Sequence, residues 1–334
     1  MNAFLSSRVH IIYNPHAGYG SWDQWVPKIA YLWRKWGWEV SVQPTAYAGH
    51  ATVLARQAAE SHCGLVIAAG GDGTLNEVAN GLVHSESVLA VLPLGTANSF
   101  ARELGGASPN LLRPQSLFQM TETLMRGQIQ RADMGLCNNG RHWLLWASTG
   151  ADGYLVERIE PRSKLFKRFG PVGYAAKALR YLPECNGQFA SVTIDDETIE
   201  DEFLLINISN CRFYAGGELR LNAPAILDDG RFEVWLLRGR HWPDLLKFTL
   251  EVGLKNHHED PNVIFRRCQH VAVKTQNPIP FHLDAEPTGA TPFTCEIQPN
   301  CLRVLAPSTT PSGLFHLRGV PALRPTHPML RTYA

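Results

Sequence analysis

The first third of the chain alternates short apolar runs with segments whose apolar residues recur at helical spacing. Apolar strands are predicted at 9–13, 39–43, 65–69 and 88–92, and helical spacing separates them at 21–37, 50–62 and 75–82. Strands and helices that alternate in this way predict a parallel sheet with crossover helices. Ligands of such sheets bind beyond the carboxyl ends of the strands, so the turns after these strands are the candidate binding positions.

The pattern changes after residue 128, where apolar strand-like runs and frequent turn signals predict a mainly antiparallel β domain. Its predicted strands are 129–135, 142–148, 189–194, 203–209, 231–237, 271–274, 280–283 and 302–305, with helical segments near 151–159, 172–182 and 241–252. We therefore predict an α/β domain at 1–127, a β domain at 128–306 and a Pro-rich C-terminal extension at 307–334.

Composition and net charge limit the classes of molecule that the protein is expected to bind. The 334 residues, 45% of them hydrophobic and 18% charged, are enough for two domains that each bury a core. The formal net charge of +1 gives no general attraction to nucleic acid, and we predict no nucleic-acid partner. Seven scattered cysteines without a C-x-x-C pair argue against a disulfide framework and a zinc site. Because no apolar run reaches the roughly 18 residues that span a bilayer, we expect a cytoplasmic protein.

Three glycine-containing turns follow predicted strands, at 14–18 (Asn-Pro-His-Ala-Gly), 70–74 (Gly-Gly-Asp-Gly-Thr) and 94–98 (Leu-Gly-Thr-Ala-Asn). At 70–74 a strand ends in paired glycines and a helix begins at once, so backbone N–H groups and the helix N-terminus can bind an anion such as phosphate. In the third turn, Thr96 can cap the following helix and Asn98 can bond a phosphate or ribose. An ordinary structural turn is the alternative in each case.

Asp72 is the unexpected residue of the second turn. A carboxylate beside bound phosphate is unfavourable unless a cation lies between them, and magnesium carried by a nucleotide would supply that cation. In the alternative interpretation, Asp72 is the N-cap of the helix that follows.

Two acidic segments lie in the β domain. Asp284 and Glu286 flank Ala285 at the end of an apolar strand, where two such carboxylates tend to point to opposite faces. Either can act as a general base for a hydroxyl, and an acidic hairpin tip is the alternative. Asp228-Asp229-Gly230 precedes another strand and is consistent with a type I′ turn or with part of a site for a hard cation.

Aromatic and basic residues raise the question of membrane contact. The helix from residue 21 carries Trp22, Trp25, Trp33 and Trp36 on one broad face, and packing against the sheet explains this stripe more simply than membrane insertion. Between 157 and 181, aromatic residues alternate with a set of cations, namely Arg158, Arg162, Lys164, Lys167, Arg168, Lys177 and Arg180. This segment either rests on an anionic bilayer or forms a solvated helical face.

The three turns, together with Leu75-Asn76-Glu77 after the second and Leu92-Pro93 before the third, occur in an order and at separations that resemble the diacylglycerol kinase catalytic-domain family. That family includes bacterial soluble lipid kinases and sphingosine kinases, and the resemblance covers about residues 8–305. It implies a phosphofructokinase-like α/β nucleotide-binding domain, a C-terminal β-sandwich domain, and an active site between them.

The resemblance also implies roles for individual residues. The implied ATP contacts are Asn14, Pro15, His16, Ala17, Gly18, Thr45, Gly70, Gly71, Asp72, Gly73, Thr74, Leu75, Asn76, Thr96 and Asn98. Asp284 and Glu286 match the family's acidic D-G-E, in which one carboxylate is taken as the base, and Asp72 completes the catalytic set. A structural magnesium ion is implied at Asp229, with Asp228 beside it and main-chain oxygens near Ile226 and Arg231.

Three positions depart from the family's pattern. The usual serine of the first turn is Ala17, the usual acid after Asn98 is Ser99, and the usual glycine of D-G-E is Ala285. These changes remove a hydroxyl donor, loosen a magnesium-linked network, and place a Cβ where glycine adopts the backbone angle most easily. Because no presumed catalytic carboxylate is lost, we expect these three changes to affect catalytic efficiency more than the presence of activity.

The sequence thus predicts an ATP-dependent lipid kinase that transfers the γ-phosphoryl group to the hydroxyl of a diacylglycerol-like or sphingoid-like lipid, with ATP and Mg²⁺ as cofactors. An NAD kinase shares the G-G-D-G-T turn, but Asn138-Asn139-Gly140 lacks the acid expected for that function. A lipid- or nucleotide-binding regulator with weakened catalysis is the third hypothesis. The predicted partners are a lipid substrate and an anionic membrane surface at the inner face of the membrane, and homodimer formation stays open.

Overall fold

A computed structural model describes residues 6–18, 22–106, 116–160, 170–215, 219–221 and 225–322. These residues form two compact units, the first built from the chain up to Ala132 together with the chain from Asn300 onward, the second from Asp133–Pro299. The sequence placed the boundaries a few residues away, at 127/128 and 306/307. The difference arises because the strands Gln128–Cys137 and Phe293–Ala306 each contribute residues to both units.

The first unit contains a parallel sheet with helices between its strands. The elements are β1 (Arg8–Tyr13), a 3₁₀ turn (Trp22–Gln24), α1 (Val26–Lys35), β2 (Glu39–Pro44), α2 (His50–Glu60), β3 (Leu65–Gly70), α3 (Asp72–Leu82), β4 (Val88–Pro93), α4 (Ser99–Glu103) and α5 (Ser116–Met125). The strand order is β4-β3-β1-β2, and all neighbouring strands in it run parallel. Every residue of β3 and β4 is buried, as expected for the central strands of a sheet covered on both faces. The predicted α/β architecture is confirmed.

The tryptophan stripe belongs to the core of this unit. Trp22 and Trp33 are buried in the same apolar cluster as Ile11 and Ile67, and Trp25 and Trp36 pack against that cluster with part of their surface exposed. The core interpretation of the stripe is therefore confirmed, and no membrane contact is needed to account for it.

The second unit is dominated by antiparallel strands. Its elements are β5 (Gln128–Cys137), β6 (His142–Trp143), β7 (Trp146–Gly150), α6 (Ala151–Ile159), α7 (Gly170–Tyr181), β8 (Gln188–Ile194), β9 (Glu197–Ser209), β10 (Phe213–Tyr214), β11 (Leu219–Arg220), β12 (Phe232–Arg238), α8 (Trp242–Leu254), β13 (Val263–Cys268), β14 (His270–Thr275), β15 (Pro280–Leu283), β16 (Glu286–Ala290) and β17 (Phe293–Ala306). Short 3₁₀ turns lie at Leu182–Glu184 and His257–Glu259. The predicted β domain is confirmed.

The long strand β9 organises this unit. Its first half pairs with β8, and its second half pairs with β7 on one side and β12 on the other. Large apolar residues of these strands, among them Phe203 and Phe232, form one buried cluster with Trp143 of β6. All seven cysteines of the chain are buried free thiols. Within the described ranges, no helix combines the length and the apolar character needed to cross a membrane.

The Pro-rich segment after the last long strand packs on the first unit as far as the structure describes it. Leu314 is fully buried, and the Thr310 hydroxyl donates to the Leu104 carbonyl oxygen at the end of α4 at 2.9 Å. A short strand, β18 (Val320–Pro321), pairs antiparallel with the start of β5. Residues 323–334 of the predicted extension lie outside the described residues.

Leu314→Ala should lower the free energy of unfolding by about 2–5 kcal/mol, because it removes a fully buried leucine side chain and leaves a cavity. Urea denaturation measures the loss. Leu317→Ala is the matched control, since Leu317 is 57% exposed and its truncation should cost little. Equal effects of the two substitutions would contradict the packing of this segment.

Candidate active site

The turns after β1, β3 and β4 lie side by side at one edge of the parallel sheet. The strands end in register, since Tyr13 pairs with Ala69 and Ala69 pairs with Leu92. The Asn14 N–H donates to the Ala69 carbonyl oxygen at 3.0 Å, and the Leu94 N–H donates to the Gly70 carbonyl oxygen at 2.8 Å. The predicted convergence of the three turns is confirmed.

Close backbone contact between these turns requires glycine. A Cβ atom at Gly95 would lie 2.5 Å from the Cα atom of Gly71, and one at Gly18 would lie 2.2 Å from the Leu94 carbonyl oxygen. Gly18 also has a φ of +63°, a conformation that glycine adopts readily. Side chains at these positions would push the turns apart.

The start of α3 leaves amide donors open at this edge. The helix begins at Asp72, and its N-cap residue is Gly71, which has no side chain to cap the first turn. The first N–H groups of a helix have no partner within the helix, so those of Asp72, Gly73 and Thr74 are suited to bind an anion. Asn14 is fixed beside them, because its side-chain NH₂ donates to the Thr74 hydroxyl at 3.2 Å.

Asp72 caps a different helix from the one in which it lies. Its Oδ1 accepts the Phe100 N–H of α4 at 3.4 Å. Burial raises the pKa of the Asp72 carboxyl above its usual value, while the amides of Ser99, Phe100 and Asn98 oppose the rise. The interpretation of Asp72 as the N-cap of α3 is therefore wrong, because Gly71 holds that position and the carboxylate reaches α4 instead.

The third turn is closed by its own asparagine. Asn98 has a φ of +53° and is the N-cap residue of α4, so the predicted capping role of Thr96 is wrong. The Asn98 side chain accepts the Gly95 N–H and donates to the Gly95 carbonyl oxygen, each at 2.9 Å. Asn98 thus shapes the turn with the same atoms that were expected to bond a phosphate or ribose.

Other residues of the predicted ATP set differ in their surroundings. Thr45 follows β2 at the same edge, with its N–H bonded to the Tyr13 carbonyl oxygen at 2.8 Å. Leu75 and Asn76 are buried, so their side chains belong to the fold. Glu77, to which the sequence assigned no role, accepts the N–H groups of Gly49 and Ala51 at 2.8 and 3.0 Å and so caps α2.

In the second unit, Asp284 is held by three backbone amides. Its carboxylate accepts the N–H groups of Leu144, Leu145 and Trp146 at 2.9, 2.8 and 3.1 Å. These bonds explain why the strand predicted at 142–148 is broken between β6 and β7. Asp284 is 6% exposed, and burial raises the pKa of its carboxyl although the three amides favour the charged form.

Glu286 lies in a different environment from Asp284. Its side chain is 44% exposed and forms an ion pair with Arg141.

The backbone between the two acids has positive φ angles, +61° at Ala285 and +50° at Asp284. The backbone angle expected of glycine is thus kept with alanine, at a strain of about 1–2 kcal/mol.

A buried histidine and a helix-borne acid lie against this turn, and sequence reasoning missed both. His282 is 1% exposed, and its Nε2 lies 2.9 Å from Oδ2 of Asp152 in the first turn of α6. Burial tends to raise the pKa of the Asp152 carboxyl, but contacts with His282, Tyr214 and Ser148 bring it below its usual value. A signal was present, since a lone histidine in an apolar strand two residues before an acidic turn is unusual.

Comparison with known proteins shows the family to which the chain belongs. The diacylglycerol kinase catalytic domain matches residues 8–137, and the YegS C-terminal NAD kinase beta sandwich-like domain matches residues 146–306. A diacylglycerol kinase of Staphylococcus epidermidis (strain ATCC 35984) is 30% identical over 291 residues, which cover 86% of this chain and 88% of the relative. The chain belongs to the diacylglycerol kinase family. It is therefore a lipid kinase.

Further members of the diacylglycerol kinase family agree with this assignment. A diacylglycerol kinase of Bacillus subtilis is 29% identical over 287 residues, covering 85% of this chain and 91% of the relative. A crystal structure of a diacylglycerol kinase from Bacillus anthracis superposes with a TM-score of 0.65 at 21% identity, covering 91% of this chain and 98% of the other. A second structure from the same organism reaches a TM-score of 0.72 at 22% identity, covering 92% and 99%. These two structural similarities show that the chain shares the fold of those proteins.

The turn at which the diacylglycerol kinase resemblance implies magnesium is occupied by an arginine. One oxygen of Asp229 accepts the Arg231 N–H at 3.1 Å, and the other pairs with the Arg267 guanidinium. Arg267 also lies 3.3 Å from the buried Glu233 carboxylate. Among the described residues, no three His, Cys, Asp or Glu side chains form a group that could hold a metal ion.

A guanidinium thus supplies the positive charge that the resemblance assigns to a structural cation. Asp228 is buried and Ile226 half-buried in the same turn, and the Gly230 N–H donates to Asp133 at 2.6 Å. Because both Asp229 oxygens already have partners, a magnesium ion bound here would have to displace the Arg267 guanidinium.

Gly95→Ala should lower the free energy of unfolding by about 1–3 kcal/mol, because its Cβ would overlap the Gly71 backbone. Denaturant unfolding followed by circular dichroism measures this. The control is Gly253→Ala in α8, where a Cβ meets nothing within 4 Å and alanine favours the helix. A Gly95→Ala protein as stable as the wild type would argue against the contact between the two turns.

EDTA should leave the melting temperature of the nucleotide-free protein unchanged, because Arg267 already balances the charge of Asp229. Arg267→Met should melt at a lower temperature in the same buffer, since it leaves two acids without their cationic partner. Differential scanning calorimetry with EDTA or MgCl₂ makes the comparison. A wild-type protein that melts several degrees lower in EDTA would contradict the assignment.

Proposed function

We propose that the protein is an ATP-dependent kinase that phosphorylates the primary hydroxyl of a diacylglycerol-like lipid. The observation that carries this proposal is the meeting of three strand-end turns around the open amides of α3. Family membership supports the reaction class, and the names of the curated relatives support diacylglycerol as the acceptor. A sphingoid-like lipid is the alternative acceptor of the same chemistry.

The first unit would bind the nucleotide phosphates. Phosphoryl transfer depends mainly on positioning and charge neutralisation, and the amides of Asp72, Gly73 and Thr74 can provide both. Asp72 is a half-buried residue, and its carboxylate offers the oxygen donors that magnesium prefers. Magnesium bound with the nucleotide would neutralise charge on the phosphate oxygens.

The second unit would supply the base. The lipid hydroxyl oxygen bonds to the γ-phosphorus, the bond from that phosphorus to the bridging oxygen breaks, ADP leaves, and the hydroxyl proton passes to a carboxylate. We assign that carboxylate to Asp284, because three amides fix its position and its raised pKa makes it a better proton acceptor near neutral pH. Glu286, paired with Arg141, would balance charge beside it.

The lipid would reach the enzyme at a membrane surface. In α7, Leu179 is 61% exposed and Arg180 is also exposed, a combination suited to an anionic bilayer. Arg158 instead stacks on the ring of Tyr154, 5.0 Å from its centroid. Residues 161–169, which hold most of the predicted basic segment, lie outside the described residues.

NAD phosphorylation is the second candidate, because the domain that matches residues 146–306 is described as NAD kinase beta sandwich-like. The local geometry speaks against it. Asn138 accepts the Thr294 N–H of β17 at 3.3 Å and Asn139 accepts the Arg141 N–H of its own hairpin at 3.0 Å, so both side-chain oxygens already have structural partners.

The test is incubation of the purified protein with radiolabelled ATP and MgCl₂ together with diacylglycerol in vesicles, a sphingoid base, or NAD. We expect label in phosphatidate, with faster transfer on phosphatidylglycerol than on phosphatidylcholine vesicles. Label in NADP would reverse the ranking of the two kinases. Nucleotide binding without transfer to any acceptor would support the regulator hypothesis instead.

Asp284→Asn should lower kcat by about 10²–10⁴ because it removes the base, whereas Glu286→Gln should have a smaller effect. Since Asp284 must be deprotonated to act and burial raises its pKa, the wild-type rate should fall on the acid side, with an inflection above the usual range for aspartate. A pH profile of kcat/KM measures this. A larger loss in Glu286→Gln than in Asp284→Asn would move the role of base to Glu286.

A further inference from the structure

His282 joins the acidic turn to α6. Its Nδ1 accepts the Ala285 N–H at 3.2 Å, and its Nε2 lies 2.9 Å from Oδ2 of Asp152. Because Nδ1 accepts a backbone N–H, it carries no proton, so the hydrogen of the neutral ring is on Nε2 and is donated to Asp152. One ring thus connects the middle of the turn to the start of a helix.

The position of Asp152 is itself fixed by close packing. A Cβ at the neighbouring Gly153 would lie 2.1 Å from the Pro280 carbonyl oxygen of β15, so α6 approaches this strand closely. The hydroxyl groups of Tyr214 and Ser148 lie near Asp152 and help to lower the pKa of its carboxyl. Ser148 is the cross-strand partner of His282, which places both side chains on the same face of the sheet.

The histidine holds the turn at the point where its backbone is strained. Ala285 keeps a φ of +61°, which an L-residue adopts at a cost. Without Nδ1 the N–H of the half-buried Ala285 would lose this acceptor, and a donor left unpaired away from water is costly. The Asp284 carboxylate lies one residue earlier, so a shift of the Ala285 amide would change the angle at which that carboxylate meets its three amide donors.

We propose that His282 and Asp152 form a positioning pair that fixes the Ala285 amide and thereby the Asp284 carboxylate. This inference rests on the proposed function, in which Asp284 is the base. His282 touches no reacting atom and acts through the turn, which makes it a positioning residue. In this chain His282 helps to stabilise a positive φ at Ala285, which glycine would adopt without support.

Two substitutions separate the two bonds of the ring. In His282→Asn the side-chain amide occupies the place of Nδ1 and keeps an acceptor for Ala285, whereas in His282→Gln it occupies the place of Nε2 and keeps only a donor for Asp152. We expect His282→Gln to lower kcat about tenfold, the effect of one lost hydrogen bond at the base. His282→Asn should retain most of kcat, and KM for ATP should be unchanged in both. His270→Gln, at an exposed histidine, is the control.

Ala285→Gly provides the rescue. Because glycine adopts a positive φ without support, His282→Gln should cost less than threefold in the Ala285→Gly background. An unchanged tenfold loss in that background would overturn the proposal. So would equal losses of kcat in His282→Asn and His282→Gln, which would indicate packing alone.

A measurement without turnover distinguishes this inference from the proposed function. Two-dimensional ¹H–¹⁵N NMR should show the His282 proton on Nε2, and hydrogen exchange at the Ala285 amide should quicken in His282→Gln but not in His282→Asn. A proton on Nδ1, or equal exchange in both variants, would overturn the inference even if the lipid is phosphorylated. A wild-type protein that shows the expected NMR result but transfers no phosphate would leave this contact standing and remove the kinase proposal.

Discussion

The contact between two backbones, at Gly71 and Gly95, is the constraint on which the candidate nucleotide site depends. Parallel strands that end in register bring their following turns together, but only side chains of zero length let the turns meet. Once they meet, α3 and α4 begin within reach of each other, and a carboxylate in one helix can satisfy amides of the other. The amides at the start of α3 then remain for a ligand. Backbone geometry, more than any single side chain, builds this edge.

Acidic residues in both units have structural partners far along the chain. Asp72 reaches α4, Glu77 caps α2, and Asp284 binds the amides between β6 and β7. An acid bonded to amides in this way is held in one orientation, which is what a reacting carboxylate needs. The same bonds make such acids poor targets for alanine substitution, because the loss of a partner also releases a loop or a helix. Substitution of such an acid by the amide of the same shape separates the loss of charge from the release of the loop or helix better than alanine does.

The sequence predicted the features that follow from local pattern and topology. Alternating strands and helices predicted the parallel sheet, and the parallel sheet in turn predicted that the turns after β1, β3 and β4 would converge. The pattern could not show which amides Asp72 or Asp284 would bind, because their partners lie 28 and about 140 residues away. The first half of β9 was missed because its exposed polar residues, such as Glu197, carry no apolar signal. The sequence shows the departure at Ala285 but not the support from the His282 ring, because their contact depends on the backbone angles of the turn between them.

The first unit is built from two separated stretches of chain, and this arrangement bears on the order of folding during synthesis. Arg303 and Val304 pair with Val88 and Leu89 of β4, and buried Leu314 comes later still. A nascent chain on the ribosome therefore has to hold one flank of β4 without its neighbour until Arg303 and Val304 have emerged. The continuous second unit can fold before that point, against the usual order in which amino-terminal domains fold first. Exposed apolar edges during this interval would make the emerging chain a client for chaperones.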